Sequence, residues 1–175
     1  MTTLQRRLSA EWNLLLALVQ RNPHRLGAPT GSDTTFRISL HGPPAKPAGS
    51  SAGPDLTSHG IRIHFPVHFP AVPMELYLDT PVLHPNVHPD TGFVCVWDLH
   101  RVSNTVEHAL HKTVAMLNGT LYNPHPLHVM QPSALALLQQ SVAAPAPGHL
   151  LNGVEYATPW LDHRPASPGR KSRLS

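Results

Sequence analysis

One cysteine, Cys95, occurs in 175 residues. A lone thiol excludes an internal disulfide and any Cys-x-x-Cys metal knuckle, so chemistry at this residue must come from its own nucleophilicity. Charge is sparse as well, at 13% of residues, and aromatics reach only 6%. Much of the formal excess of +3 gathers at the two ends, in Arg6 and Arg7 and in Arg164, Arg170, Lys171 and Arg173. With no continuous basic stripe between them and few rings to stack on bases, nucleic-acid binding is not expected. No run approaches the ~18 apolar residues of a membrane span, so no membrane partner is expected either. Residues 14–19 form too short an apolar run, after a charged amphipathic turn, for a signal peptide. A cytoplasmic setting with Cys95 reduced follows from this reading.

What is abundant is proline, glycine and histidine, at 20, 11 and 14 residues. The first two describe a loop-rich protein, of a length that suits one domain with a continuous core. Among the histidines, His108 and His111 lie with Glu107 within about one helical turn, a spacing that can put two metal ligands on one face. No HExxH pattern or cysteine cluster accompanies them, and the polar face of a helix accounts for each, so no metal site is expected.

Leu4, Leu8, Trp12, Leu15, Leu16 and Val19 recur at helical spacing, with Arg6, Arg7, Asn13 and Gln20 on other faces. This predicts a helix over residues 3–21, stopped by Asn22-Pro23. Phe36, Ile38 and Leu40 alternate with Arg37, Ser39 and His41, and Ile61, Ile63 and Phe65 with Arg62 and His64, the period of half-buried strands. Residues 75–78 make a weaker strand, and the apolar run from Phe93 to Trp97 a short extended segment. Residues 42–60, rich in Gly, Pro and Ser, predict a mobile loop without regular pairing. A second helix carries Val106, Leu110, Val114 and Leu117 as its stripe, with Asn104 and Glu107 as an N-cap pair and Asn118-Gly119 as its end. A third is predicted from Pro132-Ser133 to before Pro145, burying Leu135, Leu137 and Leu138. Leu150, Leu151, Tyr156, Trp160 and Leu161 form a candidate docking segment ahead of a Pro/Ser/Arg-rich tail.

The run from His84-Pro85-Asn86 to Gly92-Phe93-Val94-Cys95 sets the thiol nine residues beyond Asn86. Alone, a cysteine in an apolar stretch is more often a buried structural residue. It does not stand alone. His64-Phe65-Pro66 and Phe69-Pro70-Ala71-Val72-Pro73-Met74 precede the triplet, Gly42-Pro43 follows a predicted strand, and Asn123-Pro124-His125-Pro126-Leu127 lies downstream. In this order and spacing these pieces resemble the ubiquitin-conjugating enzyme family over residues 4–142, with the thiol one residue later than that family usually has it.

The resemblance implies an α+β ubiquitin-conjugating fold, an antiparallel four-stranded meander flanked by an N-terminal helix and C-terminal helices. It implies a single domain over residues 1–162, with the long loop at 42–60, and a disordered basic tail at 163–175. It also implies an enzyme that accepts a ubiquitin-like protein from an activating enzyme as a thioester on Cys95 and passes it to a nucleophile of a target protein. No cofactor is implied, since ATP is used by the activating enzyme. Asn86 matches the family's asparagine that supports the oxyanion or the loop beside the thiol. His125 stands where the family carries an acidic residue, as a general base or to orient the nucleophile. Arg6 and Arg7 lie off the apolar stripe of the helix on which the family docks its activating enzyme.

One departure concerns partners. Ser103-Asn104-Thr105-Val106 replaces the Trp-Ser-Pro-Ala of members that dock RING-type ligases, so such a ligase is not expected. In this the chain resembles divergent bacterial members encoded with their own ubiquitin-like protein in antiphage defence operons. Two other classes stay open: a catalytically inactive binding or scaffold member, which typically lacks the thiol, and a cysteine hydrolase pairing Cys95 with a histidine, whose usual spacing signatures are missing.

Overall fold

The computed structural model describes residues 2–97 and 99–140. The candidate docking segment and the basic tail lie outside the described residues.

Helix α1, Thr3–Arg21, opens on a capping box in which the Thr2 side chain accepts from the Gln5 amide and Gln5 reaches back to the Thr2 amide. It closes where Asn22 Nδ2 donates to the Leu18 carbonyl, ahead of Pro23. Its buried face is Leu8, Glu11, Leu15 and Leu18, whereas Leu16 is exposed. Fully burying Leu15 and Leu18 is worth about 1.5–3 kcal/mol each.

A five-stranded antiparallel sheet follows in sequential order: β1 Thr30–Gly31, β2 Thr35–Ala45, β3 Leu56–His64, β4 Glu75–Leu78 and β5 Phe93–Val94. The expected count of four strands is corrected to five. The added strand, β1, is a two-residue edge pairing Thr30 with Arg37 and Gly31 with Phe36, too short to show any period in sequence. Phe36 pairs with Ile63, Ile38 with Ile61, Ile63 with Leu76 and Ile61 with Leu78, so this face is apolar apart from buried His59 opposite Leu40. A chain of edge-to-face rings, Trp12 on Phe36, Phe36 on Phe65 and Phe65 on Phe69, joins α1 to that face, with centroids 4.7–5.0 Å apart.

The predicted loop over 42–60 is also corrected. Pairing continues to Ala45 opposite Leu56 across a register shift after His41, where Gly42 takes φ 113°. Pro43 and Pro44 lack an N–H, but a bulge lets their carbonyls stay useful, and Pro43 accepts from His59 Nε2 at 2.8 Å. Only residues 46–55 lie between the strands, and Lys46 Nζ ties that loop together through Asp55 at 2.8 Å and the Gly53 carbonyl at 2.6 Å.

Helix α2, Val106–Leu117, is capped by Thr105 with His108 rather than by Asn104 with Glu107. His108 Nδ1 occupies the reciprocal position that Glu or Gln usually fills, accepting from the Thr105 amide at 3.2 Å. Instead of one stripe, every residue from Ala109 to Leu117 is buried, His111 and Lys112 included, which corrects the expected polar face. The helix ends as read: Gly119, at φ 68°, donates to the Met116 carbonyl in a left-handed turn that a side chain would strain. Helix α3, Pro132–Gln140, begins where expected but buries Ala134, with Leu137 45% exposed.

A buried carboxylate locks α1 to α2. Glu11, 1% exposed, accepts from the Val106 amide and from Arg7 Nε, both at 2.7 Å. Burial pushes its carboxyl up from the ordinary value, opposed by the Val106 amide and by Arg7. Arg7 also donates to the carbonyls of Val102 and Asn104 and lies over the Phe69 ring at 5.3 Å. The expectation that Arg7 offers a docking charge is therefore corrected: its guanidinium is a structural tie. Arg6 is exposed as read.

Candidate active site at the end of the fifth strand

β5 leaves the sheet at Val94, and Cys95 follows at once with its side chain half-buried. Gly92 makes that entry possible, because at φ 71° it closes a turn onto the His88 carbonyl, and a Cβ there would collide with the Leu78 carbonyl oxygen. Beyond the thiol, Val96 is buried and Trp97 Nε1 donates to the Met74 carbonyl at 3.2 Å. Lys112 Nζ reaches the Val96 carbonyl at 3.4 Å and lies 5.1 Å over the Trp97 ring. The segment carrying the sulfur is thus held from both sides.

The His84-Pro85-Asn86 turn forms the other wall. Asn86 is fully buried, its carbonyl accepting from the Cys95 amide at 2.9 Å. Its side-chain Nδ2 donates to the carbonyls of Asn123 at 2.8 Å and His128 at 2.9 Å, and Oδ1 accepts from the Asn123 amide at 2.7 Å. An amide NH2 has two hydrogens, and both are engaged. The Pro85 carbonyl accepts from the Met130 amide at 2.7 Å, and Gln131 Nε2 bridges the carbonyls of Val82 and Val87 at 2.8 Å each. The triplet therefore pins residues 121–131 beside the thiol.

His84 completes the pin. Its Nδ1 accepts from the Asn86 amide at 3.2 Å, which fixes the proton on Nε2, and Nε2 donates to the Leu121 carbonyl at 3.0 Å. Burial drives the ring down to about 4, against the pull of that carbonyl. Because the folded value lies below the unfolded 6.5, the neutral ring stabilises the fold above pH 6.5, and the benefit is lost as pH falls through about 4. At about 1.4 kcal/mol per unit, that window amounts to about 3 kcal/mol. Urea midpoints should drop correspondingly on acidification, and less steeply in His84→Gln. An equal slope in both would assign the acid sensitivity to His59, His108 and His111, whose rings burial also lowers.

His125 lies at the surface as N-cap of a one-turn 3₁₀ helix, Pro126–His128. Its amide donates to Asn123 Oδ1 at 2.9 Å and its Nδ1 accepts from the Leu127 amide at 3.3 Å. The imidazole that meets the sulfur is another one: His128 Nδ1 is 3.2 Å from Cys95 Sγ. Sequence reasoning missed it. The available signal was the spacing, since residues three apart eclipse in a 3₁₀ turn, and the two rings do stack edge to face at 5.8 Å. Arg6 and Arg7, on α1, are not part of this cluster. Among the described residues, no three His, Cys, Asp or Glu side chains form a metal-holding group, and no helix is long and apolar enough to cross a membrane.

Comparison with known proteins agrees with this architecture. No curated protein sequence matches the chain. Among solved structures, one described as a ubiquitin conjugating enzyme from Plasmodium yoelii superposes with a TM-score of 0.53 at 19% identity, covering 80% of this chain and 90% of that one. Another so described, from Trypanosoma cruzi, gives a TM-score of 0.53 at 18% identity over 75% and 86%. At such identities the likeness concerns the fold. The family itself is shown by sequence: a profile described as Ubiquitin-conjugating enzyme matches residues 56–144, a span that holds the triplet, the thiol and both site histidines. The chain belongs to the ubiquitin-conjugating enzyme family.

Proposed function

We propose that the chain accepts the C-terminal carboxyl group of a ubiquitin-like protein from an activating enzyme as a thioester on Cys95, and transfers it to a nucleophile of a target protein. The observation that carries this reading is the position of the only cysteine: half-buried at the end of β5, with its backbone fixed by Asn86 of the His-Pro-Asn turn. Both transfers pass through a tetrahedral oxyanion. Loop support rather than oxyanion donation is the role proposed for Asn86, a reading supported by its two amide hydrogens being on main-chain carbonyls. His125 accepts on Nδ1, so its neutral ring carries the proton on Nε2, a state suited to orienting a nucleophile rather than accepting its proton.

Incubation with an activating enzyme, ATP and a ubiquitin-like protein tests this. The expected product is a chain heavier by one modifier, reversed by dithiothreitol; ATP is consumed by the activating enzyme alone. A chain that binds the modifier without gaining its mass would be the inactive scaffold instead. The replacement at Ser103–Val106 supports transfer without a RING-type ligase, as in bacterial ubiquitin-like systems of antiviral defence, in a cytoplasm that keeps the thiol reduced.

Docking of the activating enzyme on α1 reduces to Arg6. Arg6→Glu should slow loading at limiting activating enzyme while changing stability by no more than about 0.5 kcal/mol. Arg7→Glu, which would set a carboxylate against buried Glu11, should instead destabilise by about 2–4 kcal/mol. Loading rates and thermal melts of both variants separate these outcomes; undiminished loading of Arg6→Glu would move docking to another face.

A further inference from the structure

The thiol has a proton partner within hydrogen-bonding reach, and it is an imidazole. Cys95 Sγ and His128 Nδ1 are 3.2 Å apart, within reach of a hydrogen bond to sulfur, and both residues are half-buried. His128 is fixed by its backbone: its amide donates to the His125 carbonyl at 2.8 Å, and its carbonyl accepts from Asn86 Nδ2 at 2.9 Å. The Trp97 carbonyl lies farther from the sulfur, at 3.7 Å. The contact between sulfur and imidazole therefore follows from the same asparagine that fixes the Cys95 backbone.

We infer that His128 is a catalytic residue that moves the Cys95 proton, an inference that rests on reading Cys95 as the thioester carrier. Before loading, Sγ–H gives its proton to Nδ1, leaving a thiolate beside an imidazolium. The thiolate attacks the carbonyl of the activating enzyme's thioester; the new S–C bond forms, the old one breaks, and the departing thiolate takes the proton from Nδ1, which leaves the imidazole neutral. On discharge, the target's amine or hydroxyl attacks the Cys95 thioester and passes a proton to Nδ1. As the C–S bond breaks, the imidazolium returns that proton to Sγ. Atoms and charge balance with no other reagent.

Among the described residues, three titratable groups surround this pair. His125 faces the His128 ring from the same one-turn helix. Lys112 reaches the thiol segment from α2, and His84 lies behind Asn86 in the triplet, held neutral by burial. Cys95 itself follows β5. A positive Lys112 favours the thiolate, and a protonated His125 would oppose a second charge on His128.

The test is the pH profile of Cys95 alkylation by iodoacetamide, which needs no partner protein. An ordinary thiol titrates near 8.5, and one beside His⁺ at about 3.5–7.5. If wild type titrates near about 7, His128→Gln should move the midpoint back toward about 8.5. At pH 6.5 the thiolate then falls about 20-fold, and, since the higher-pKa thiolate is the better nucleophile, the rate falls about fivefold. His125→Gln should stay within about twofold of wild type. In single-turnover discharge of preformed thioester, His128→Gln should lose on the order of 10²-fold. An alkylation midpoint unchanged by His128→Gln overturns the inference, even where loading occurs. A shifted midpoint in a chain that never loads leaves the proton pair standing and overturns the carrier reading and the transfer step with it. Should His128→Gln fail to fold, the His128 ring protons are followed by NMR in wild type and Cys95→Ser. Loss of the thiolate should lower the pH at which the ring titrates, and identical titrations would overturn the inference.

Discussion

Cys95→Ala should carry no modifier at all after incubation with activating enzyme, ATP and a ubiquitin-like protein. The effect is total because the chain has no second cysteine to take over. Cys95→Ser sharpens the result. Its hydroxyl would lie where the sulfur meets His128 Nδ1, so slow acylation is expected, giving an oxyester that resists dithiothreitol and yields to hydroxide. Neither change should perturb folding much, since the sulfur is half-buried and the Cys95 main-chain bond to Asn86 is kept. Modification that persists on Cys95→Ala, read by intact mass, would place the acceptor elsewhere and remove the basis of the proposed function.

Asn86→Ala should be the most damaging single change outside the thiol, and it should act on two readouts together. It strips partners from the Asn123 amide and from the carbonyls of Asn123 and His128. Buried groups left without partners cost about 1–3 kcal/mol each, so after partial relaxation the loss is about 3–5 kcal/mol. Discharge of any thioester formed should slow by about 10²-fold, the penalty for misplacing a reacting group by about 1 Å. Asn86→Asp should be no better, because a carboxylate oxygen would then face two carbonyl oxygens. The two readouts together decide the role. Lost discharge with stability intact would mean that Asn86 serves the oxyanion after all, and joint loss means that it holds the loop.

Much of the frame was legible in the sequence because local rules and tertiary demands agree there. The apolar spacing from Leu4 to Val19 and the stop at Asn22-Pro23 bracket α1, and Phe36, Ile38, Ile61 and Ile63 show the inward face of β2 and β3 by alternation alone. The triplet and the thiol were legible by resemblance. What escaped depends on contacts far apart in the chain. Glu11 falls within the apolar stripe, three residues after Leu8 and four before Leu15, and a carboxylate is held there because the Val106 amide, 95 residues away, needs an acceptor. The same distance turned Arg7 from a surface charge into a clamp. The polar positions His111 and Lys112 are enclosed because α2 packs against α1 and the thiol segment. His128 escaped because motif matching pointed to His125, and a one-turn helix gives no periodicity from which to tell which of two eclipsed rings faces inward.

The hairpin that delivers the thiol has a mechanical consequence. Val87 bridges Val94, the His88 amide meets the Phe93 carbonyl at 2.8 Å, and the Cys95 amide meets the Asn86 carbonyl at 2.9 Å. This ladder measures the position of the sulfur from Asn86 across the strands, and the length of chain around the tip does not enter. A residue gained among positions 89–91 swells the tip, on the side away from the sulfur, and leaves the rungs below in register. Lengthening the interval from Asn86 to Cys95 by a residue at the tip therefore leaves the distance from Asn86 to the sulfur as it is. The interval from Asn123 to His128 has no such slack, because Asn86 grips both of its ends.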